Sequence, residues 1–233
     1  MNIFCFIGSM QGKNSTTLKY TKQLIDSLPS RGNNVDVFTA ESLNILPCMG
    51  CNSCFATGIC PQDNKDDMKM IKEKIKKCDL LIIGSPVYIH QISGSTKVFI
   101  DRLAHWSHLF PLTGKLAVVC TSTSTSGEEY VTSYLKKVVS AFGCICIDSL
   151  VINDLMLEED INRNIMQLAE KVDKAYKNPK SLRGNVFQNG LYSSMYNQLS
   201  KHRQGYEYNY WLKNGLLDFY TFDSFLTYTL NKV

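Results

Sequence analysis

The sequence predicts an α/β fold: a five-stranded parallel sheet, doubly wound, with helices on both faces. Two observations carry this prediction. Five short β-rich runs alternate with five runs of helical period between residues 2 and 172, and such alternation demands a parallel sheet covered by helices. The third and fourth strand runs, Leu80-Leu-Ile-Ile-Gly84 and Leu116 to Cys120, are continuously apolar, as strands buried on both faces must be.

The elements follow in order. Residues 2–7 form the first strand, closed by Gly8, and a polar loop from Ser9 to Asn14 leads into a helix with Leu18, Leu24, Ile25 and Leu28 on one side. Val35 to Phe38 is the second strand. After a cysteine-rich loop, Asp66 or Asp67 caps a helix whose apolar face is Met68, Ile71, Ile75 and Cys78. The third strand ends at Gly84, and a helix runs from about Ser95 to Ala104. The fourth strand enters a serine and threonine loop, 121–126. Val131, Leu135, Val138 and Phe142 mark a helix, Cys144 to Val151 the fifth strand, and Ile161, Ile165, Leu168 and Val172 the fifth helix. Right-handed crossovers leave few topologies for five such units. The leading one has strand order 2-1-3-4-5 and is of the flavodoxin type. Residues 1–178 make up this domain, and 179–233 a helical extension. Ligands of such sheets sit beyond the C-terminal strand ends, which places the site in loops 8–15, 84–94 and 120–127.

Composition narrows the function. The 233 residues are 44% hydrophobic and 20% charged, with a net charge of +4 and no long basic block. This argues against nucleic acid or an anionic membrane as partner. No stretch is apolar enough to cross a bilayer. The start, Met1-Asn-Ile-Phe-Cys-Phe-Ile-Gly8, lacks the basic region of a signal peptide. A cytoplasmic protein is expected, and there clustered cysteines are more often ligands or redox groups than disulfides.

The first loop, Gly8-Ser-Met-Gln-Gly-Lys-Asn-Ser-Thr-Thr17, is rich in hydroxyls and opens a helix. Unpaired N–H groups and a partial positive charge at a helix N-terminus suit a phosphate, with Ser9, Gln11, Ser15, Thr16 and Thr17 as candidate contacts. Neither GxxxxGK[ST] nor GxGxxG is present, so a terminal monophosphate such as that of FMN fits better than a pyrophosphate. A plain N-capped turn remains the alternative.

At Ser85-Pro86-Val87-Tyr88, followed by Lys97-Val98-Phe99-Ile100-Asp101-Arg102, the chain resembles the NADPH-dependent FMN reductase superfamily, which includes iron–sulfur flavoproteins and NAD(P)H:quinone reductases. The resemblance covers roughly residues 1–175. It implies that Pro86, Val87, Tyr88 and Ile89 run along the isoalloxazine ring, that the first loop holds the phosphate, and that the third loop, Thr121 to Gly127, borders the ring, with Thr121, Ser122 and Gly127 as candidate contacts. It implies FMN as cofactor, NAD(P)H as co-substrate and a small-molecule acceptor. Backbone groups then tune the flavin, and no catalytic acid–base dyad is needed. Two departures stand out: Gln11 lies where relatives often carry arginine, and the third loop is Thr-Ser-Thr-Ser-Thr-Ser-Gly127 rather than glycine-rich.

Cys48, Cys51, Cys54 and Cys60 lie within thirteen residues at spacings of two, two and five. This resembles the compact motif of iron–sulfur flavoproteins, which implies a [4Fe–4S] cluster near FMN. Zinc, or an ordered insertion with free thiols shaping the pocket or a subunit contact, are the alternatives. Cys5, Cys120, Cys144 and Cys146 fall in buried-strand patterns and read as small core residues. His105-Trp-Ser-His108 reads as packing rather than a metal site.

Twelve of the 25 aromatic residues follow residue 185. Such a segment is too aromatic for disorder and suits an interface. Helices that pack on the domain, wall the flavin pocket or join a homodimer or higher homo-oligomer are expected. Three functions compete: an FMN-dependent NAD(P)H oxidoreductase reducing a quinone, flavin or similar acceptor; an iron–sulfur flavoprotein electron carrier; and an interaction protein keeping the fold as a scaffold.

Overall fold

A computed structural model describes residues 1–29 and 32–232; residue 233, the end of the expected extension, lies outside the described residues. The strands are β1 (Asn2–Ile7), β2 (Asn34–Thr39), β3 (Leu80–Tyr88), β4 (Gln91–Ile92), β5 (Leu116–Thr123) and β6 (Ile145–Asn153). The order is β2-β1-β3-β5-β6, all parallel, and β4 pairs antiparallel with the end of β3. Without the short β4 this is the expected order.

Helices cover both faces. Helices α1 (Thr16–Ser27) and α7 (Glu158–Lys177) lie on one, while α3 (Met68–Lys77), α4 (Gly94–Asp101) and α6 (Glu128–Ala141) lie on the other. The strand residues alternate between the two. Ile3, Cys5, Ile7, Ile82 and Val118 join Leu24, Ile165 and Val172 on the first face. Phe4, Phe6, Ile83 and Val119 join Ile71, Phe99 and Leu135 on the second. This is why these strand runs carry no polar alternation: both faces are buried. Phe6 and Phe99 stack with centroids 3.9 Å apart, fixing α4 against β1.

The third strand extends four residues past its expected end at Gly84. Ser85 and Pro86 keep pairing with Thr121 and Ser122 of β5, and Val87 and Tyr88 fold back on Ile92 and Gln91. The candidate Pro86–Tyr88 stretch is therefore strand rather than loop. The connection between β3 and β4 is Ile89-His90, both at positive φ, 49° and 58°. Two-residue hairpin loops of this hand ordinarily use Asn-Gly, so a β-branched residue here is strained.

The aromatic segment forms α8 (Val186–Lys201), α9 (Gly205–Lys213) and α10 (Phe222–Asn231). Tyr192 sits among Phe110, Trp211, Phe222 and Phe225 with centroids 4.7–6.1 Å away. Its hydroxyl donates to Leu216 O at 2.7 Å. The Trp211 indole N–H donates to His108 O, also at 2.7 Å, and Gln188 donates to Ser140 O and Cys144 O. Each buried polar tip is thus satisfied. Ser140 closes α6 and Cys144 precedes β6, so α8 packs at the N-terminal ends of the strands, opposite the predicted site.

Candidate functional site

The C-terminal strand ends are drawn together by hydroxyls. Gly8 follows β1 and donates its N–H to Gly84 O at 2.8 Å, while its carbonyl accepts from Ser93 Oγ. The Ser93 side chain also caps α4 by accepting from Thr96 N. Ser93 N donates to Ser85 Oγ at 2.9 Å, and Thr121 donates to Ser85 O at 2.9 Å. A Cβ on Gly8 would lie 1.8 Å from Thr96 Oγ1, so only glycine lets β1 approach α4 this closely.

Above this layer lies an open cleft of about 150 Å³, lined by Ser9, Gln11, Ser15, Thr16, Thr17, Pro86, Val87, Tyr88, Ser122, Thr123, Ser124 and Asp154. Ser15 caps α1, accepting from Leu18 N at 3.2 Å. The Thr17 and Ser122 hydroxyls meet at 2.6 Å, joining the first loop to the third. Gly12, at φ 51°, turns the chain into α1. Among the described residues no lysine or arginine lines the cleft, and Asp154 is its one charged lining residue.

Nine of the twelve predicted cofactor contacts therefore meet in one cleft. Ile89, Thr121 and Gly127 do not line it. Ile89 is at the hairpin tip and 98% exposed. Thr121 is buried lower in β5, bonded to Ser85 O. Gly127, at φ 96°, precedes α6 and lies against His90 and Val87, where a Cβ would come within 3.0 Å. Asp154 lines the cleft without having been predicted, whereas Thr123 and Ser124, which also line it, belong to the expected loop 120–127 though they were not singled out. Nothing local marks Asp154, which arrives at the end of β6 through an Asp154 N to Thr123 O bond of 3.1 Å.

The residues present fit a flavin mononucleotide. The α1 N-terminus with its hydroxyls offers neutral donors for a phosphate, and the Pro86–Tyr88 edge offers an apolar wall.

The cysteine loop lies beside α4. Cys48 and Cys51 are exposed, Cys54 and Cys60 half-buried, and all four are free thiols. The short helix α2 (Ser53–Thr57) carries Cys54 and packs on the chain near His105, His108 and α9, with Phe55 5.0 Å from His108. Hydrogen bonding to Ser53 lowers the Cys51 thiol pKa. Burial and the neighbouring Cys60 raise that of Cys54. Among the described residues no three His, Cys, Asp or Glu side chains converge as a metal site, so the donor set suits a soft metal while its arrangement is not closed around one. The other cysteines are core: Cys5, Cys78, Cys120 and Cys144 are buried. Burial pushes the Cys78 and Cys120 thiols to about 12. Cys146, expected in the core, is half-buried because β6 is an edge strand.

His105 is buried, and among the described residues its Nδ1 has no hydrogen-bond partner. Burial, reinforced by Lys72, lowers its pKa to about 4, so the imidazole is neutral at pH 7. No helix among the described residues is long and apolar enough to cross a membrane.

A doubly wound sheet with a hydroxyl-lined cleft at its strand ends defines a flavodoxin-like nucleotide-binding protein. The solved structures it resembles share that fold. An NADH:FMN oxidoreductase in its apo form superposes with a TM-score of 0.57 at 20% identity, covering 79% of this chain and 91% of the other. RosB with bound 8-demethyl-8-formylriboflavin-5'-phosphate gives 0.59 at 13% identity, covering 88% of each. Among curated proteins, an iron-sulfur flavoprotein of Archaeoglobus fulgidus is 29% identical over 158 residues, 66% of this chain and 70% of the relative. One from Clostridioides difficile is 28% identical over 176 residues, 75% and 77%. The family model for NADPH-dependent FMN reductases matches residues 1–155, and the chain belongs to that family. It is an FMN-dependent oxidoreductase by that membership.

Proposed function

We propose that this protein passes electrons from NAD(P)H through FMN to a quinone, a flavin or a similar small acceptor. The observation that carries the reading is the joining of the α1 N-terminus, the β3 edge and the β5 end into one solvent-open cleft. Bound FMN would supply the hydride and electron chemistry that no side chain here provides. Ser9, Ser15, Thr16 and Thr17 would hold the phosphate with neutral donors. Pro86, Val87 and Tyr88, with Ser122 to Ser124, would border the ring. Apart from Ser124, which follows β5, their backbone positions are set by strand pairing, which keeps the ring's surroundings rigid.

The test is FMN titration followed by steady-state turnover with NADH and NADPH against a quinone and free flavin. FMN binding with nicotinamide turnover is the expected result. No FMN binding by protein purified from a flavin-replete host would refute the reading and favour a scaffold role.

A second reading, an electron carrier with a [4Fe–4S] cluster on Cys48, Cys51, Cys54 and Cys60, draws on the iron-sulfur flavoproteins the chain resembles. Iron and sulfide analysis after anaerobic purification separates the two readings: flavin without iron leaves the first. A homodimer belongs to the same proposal, supported by the exposed apolar side chains Met10, Tyr88 and Ile89 along the cleft loops. A monomer by sedimentation would remove it.

A further inference from the structure

All four clustered cysteines lie in one loop, and the groups that close its two ends converge on a single side chain. Arg102 follows α4, and its guanidinium is wholly buried. Its Nη1 donates to Leu46 O at 2.8 Å and to Asp66, and its Nη2 donates to Asp63 at 2.9 Å. Leu46 lies just before Cys48; Asp63 and Asp66 lie just after Cys60. The same two ends are tied directly: Leu46 N donates to Asp66 Oδ2 at 2.9 Å, and Gln62 donates to Pro47 O at 2.8 Å. Lys72 adds a 2.7 Å contact to Asp63.

We infer that Arg102 is the positioning residue of the cysteine loop: it holds the loop's ends at a fixed separation and so sets the spread of the four sulfurs. Three physical points support this. A planar guanidinium presents five donors in a fixed fork and so holds a carbonyl and two carboxylates at set positions, whereas an ammonium offers three rotatable donors from a single point. A buried ion network is weak evidence for stability, since apolar packing of equal volume often does as well, whereas breaking one by removing a partner is strongly felt. And the network lies at the base of the loop that carries the thiols, while Arg102 lines no part of the cleft. Burial works to lower the Arg102 pKa, but hydrogen bonding to Asp66 and its charge outweigh it. The inference rests on the loop's geometry and stands whether or not a cluster is held there.

The experiment uses the full-length reduced protein and two variants, Arg102→Met and Arg102→Lys. Hydrogen exchange is followed across residues 44–67, and alkylation of Cys54 and Cys60 by iodoacetamide is followed by mass spectrometry. FMN affinity is the control. Exchange and alkylation are expected to rise at least tenfold in Arg102→Met and by a smaller factor in Arg102→Lys, which keeps the charge but loses the fork. FMN affinity should change less than twofold. Loop exchange and alkylation within twofold of the parent would overturn the inference. So would acceleration spread evenly over the chain, or FMN affinity falling in parallel, since either marks general loosening. If Arg102→Met does not fold, Asp63→Asn replaces it; this variant breaks one arm of the fork and keeps the Asp66 pair. It should accelerate the same amides, and no acceleration there would equally overturn the inference.

Discussion

The cleft and the cysteine loop flank the same helix, α4, yet they are held by opposite physics. At the cleft, Ser85, Ser93, Thr96 and Thr121 lock the strand ends with neutral hydroxyl bonds. Among the described residues the cleft's one charged lining residue is Asp154. At the loop, Arg102, Lys72, Asp63 and Asp66 form a buried network of two cations and two anions. Neutral hydrogen bonds hold their strength across pH and salt, whereas buried charges tie a region's stability to protonation. The cleft should therefore behave as a rigid, pH-tolerant cradle, and the loop as the part of the molecule that responds to acid.

The largest expected effect tests the loop side. His105 titrates at 6.5 in an unfolded chain but at about 4 in the fold. Lys72, Lys76 and His108 act with burial, and Asp63 acts against it. Between those values the unfolded chain binds a proton that the folded chain does not. Stability should thus be flat above pH 6.5 and fall as pH drops towards 4, by up to about 3 kcal/mol at ~1.4 kcal/mol per unit. Denaturant melts across this range, repeated on His105→Gln, check it: the variant should lose most of the slope. Burial would raise the Asp66 pKa, but Arg102 and the Leu46 and Met68 amides lower it on balance. Its contribution should be lost only at still lower pH.

The next tests the cleft. Gly8→Ala sets a Cβ against Thr96, including its Cα at 3.0 Å. It should destabilise the protein by about 2–3 kcal/mol and weaken FMN binding as β1 and α4 separate. Wild-type affinity would show that the two need not touch. Gly58→Ala probes the far side of the loop. There φ is 77° and a Cβ would fall 2.2 Å from the Tyr206 ring of α9. A loss of about 1–2 kcal/mol is expected, with faster exchange in α2 and α9 and no change at the cleft. The smallest is Ser15→Ala, which removes the α1 cap: about 1 kcal/mol in stability, with a weaker FMN complex by titration.

The elements most legible in the sequence were those whose pattern depends only on being buried. The apolar runs of β3 and β5 and the helical spacing of Ile161, Ile165, Leu168 and Val172 needed no partner to be recognised. The first loop was legible because a capping serine and a hydroxyl run after a strand are local signals. Tyr88 and Ile89 were not separable in this way. Both follow the same proline, but the turn into β4 leaves Tyr88 on the cleft and carries Ile89 away. Thr121 and Ser122 are adjacent serine-type residues, and only pairing with β3 decides which lines the cleft and which bonds to Ser85.

Composition and periodicity by themselves determined the parallel sheet and the strand ends where a ligand would bind, and they narrowed the strand order to a few, of which the leading one is observed. Those follow from burial on two faces and from the handedness of crossovers, which act through short stretches of chain. Only the tertiary structure decided what the charged and aromatic residues do. Arg102 reaches Leu46 and Asp66, 56 and 36 residues away. The aromatic extension seats Tyr192 and Trp211 behind Phe110 at the far end of the sheet instead of walling the cleft. Long side chains find partners through the packing of whole elements, and spacing along the chain carries no record of that distance.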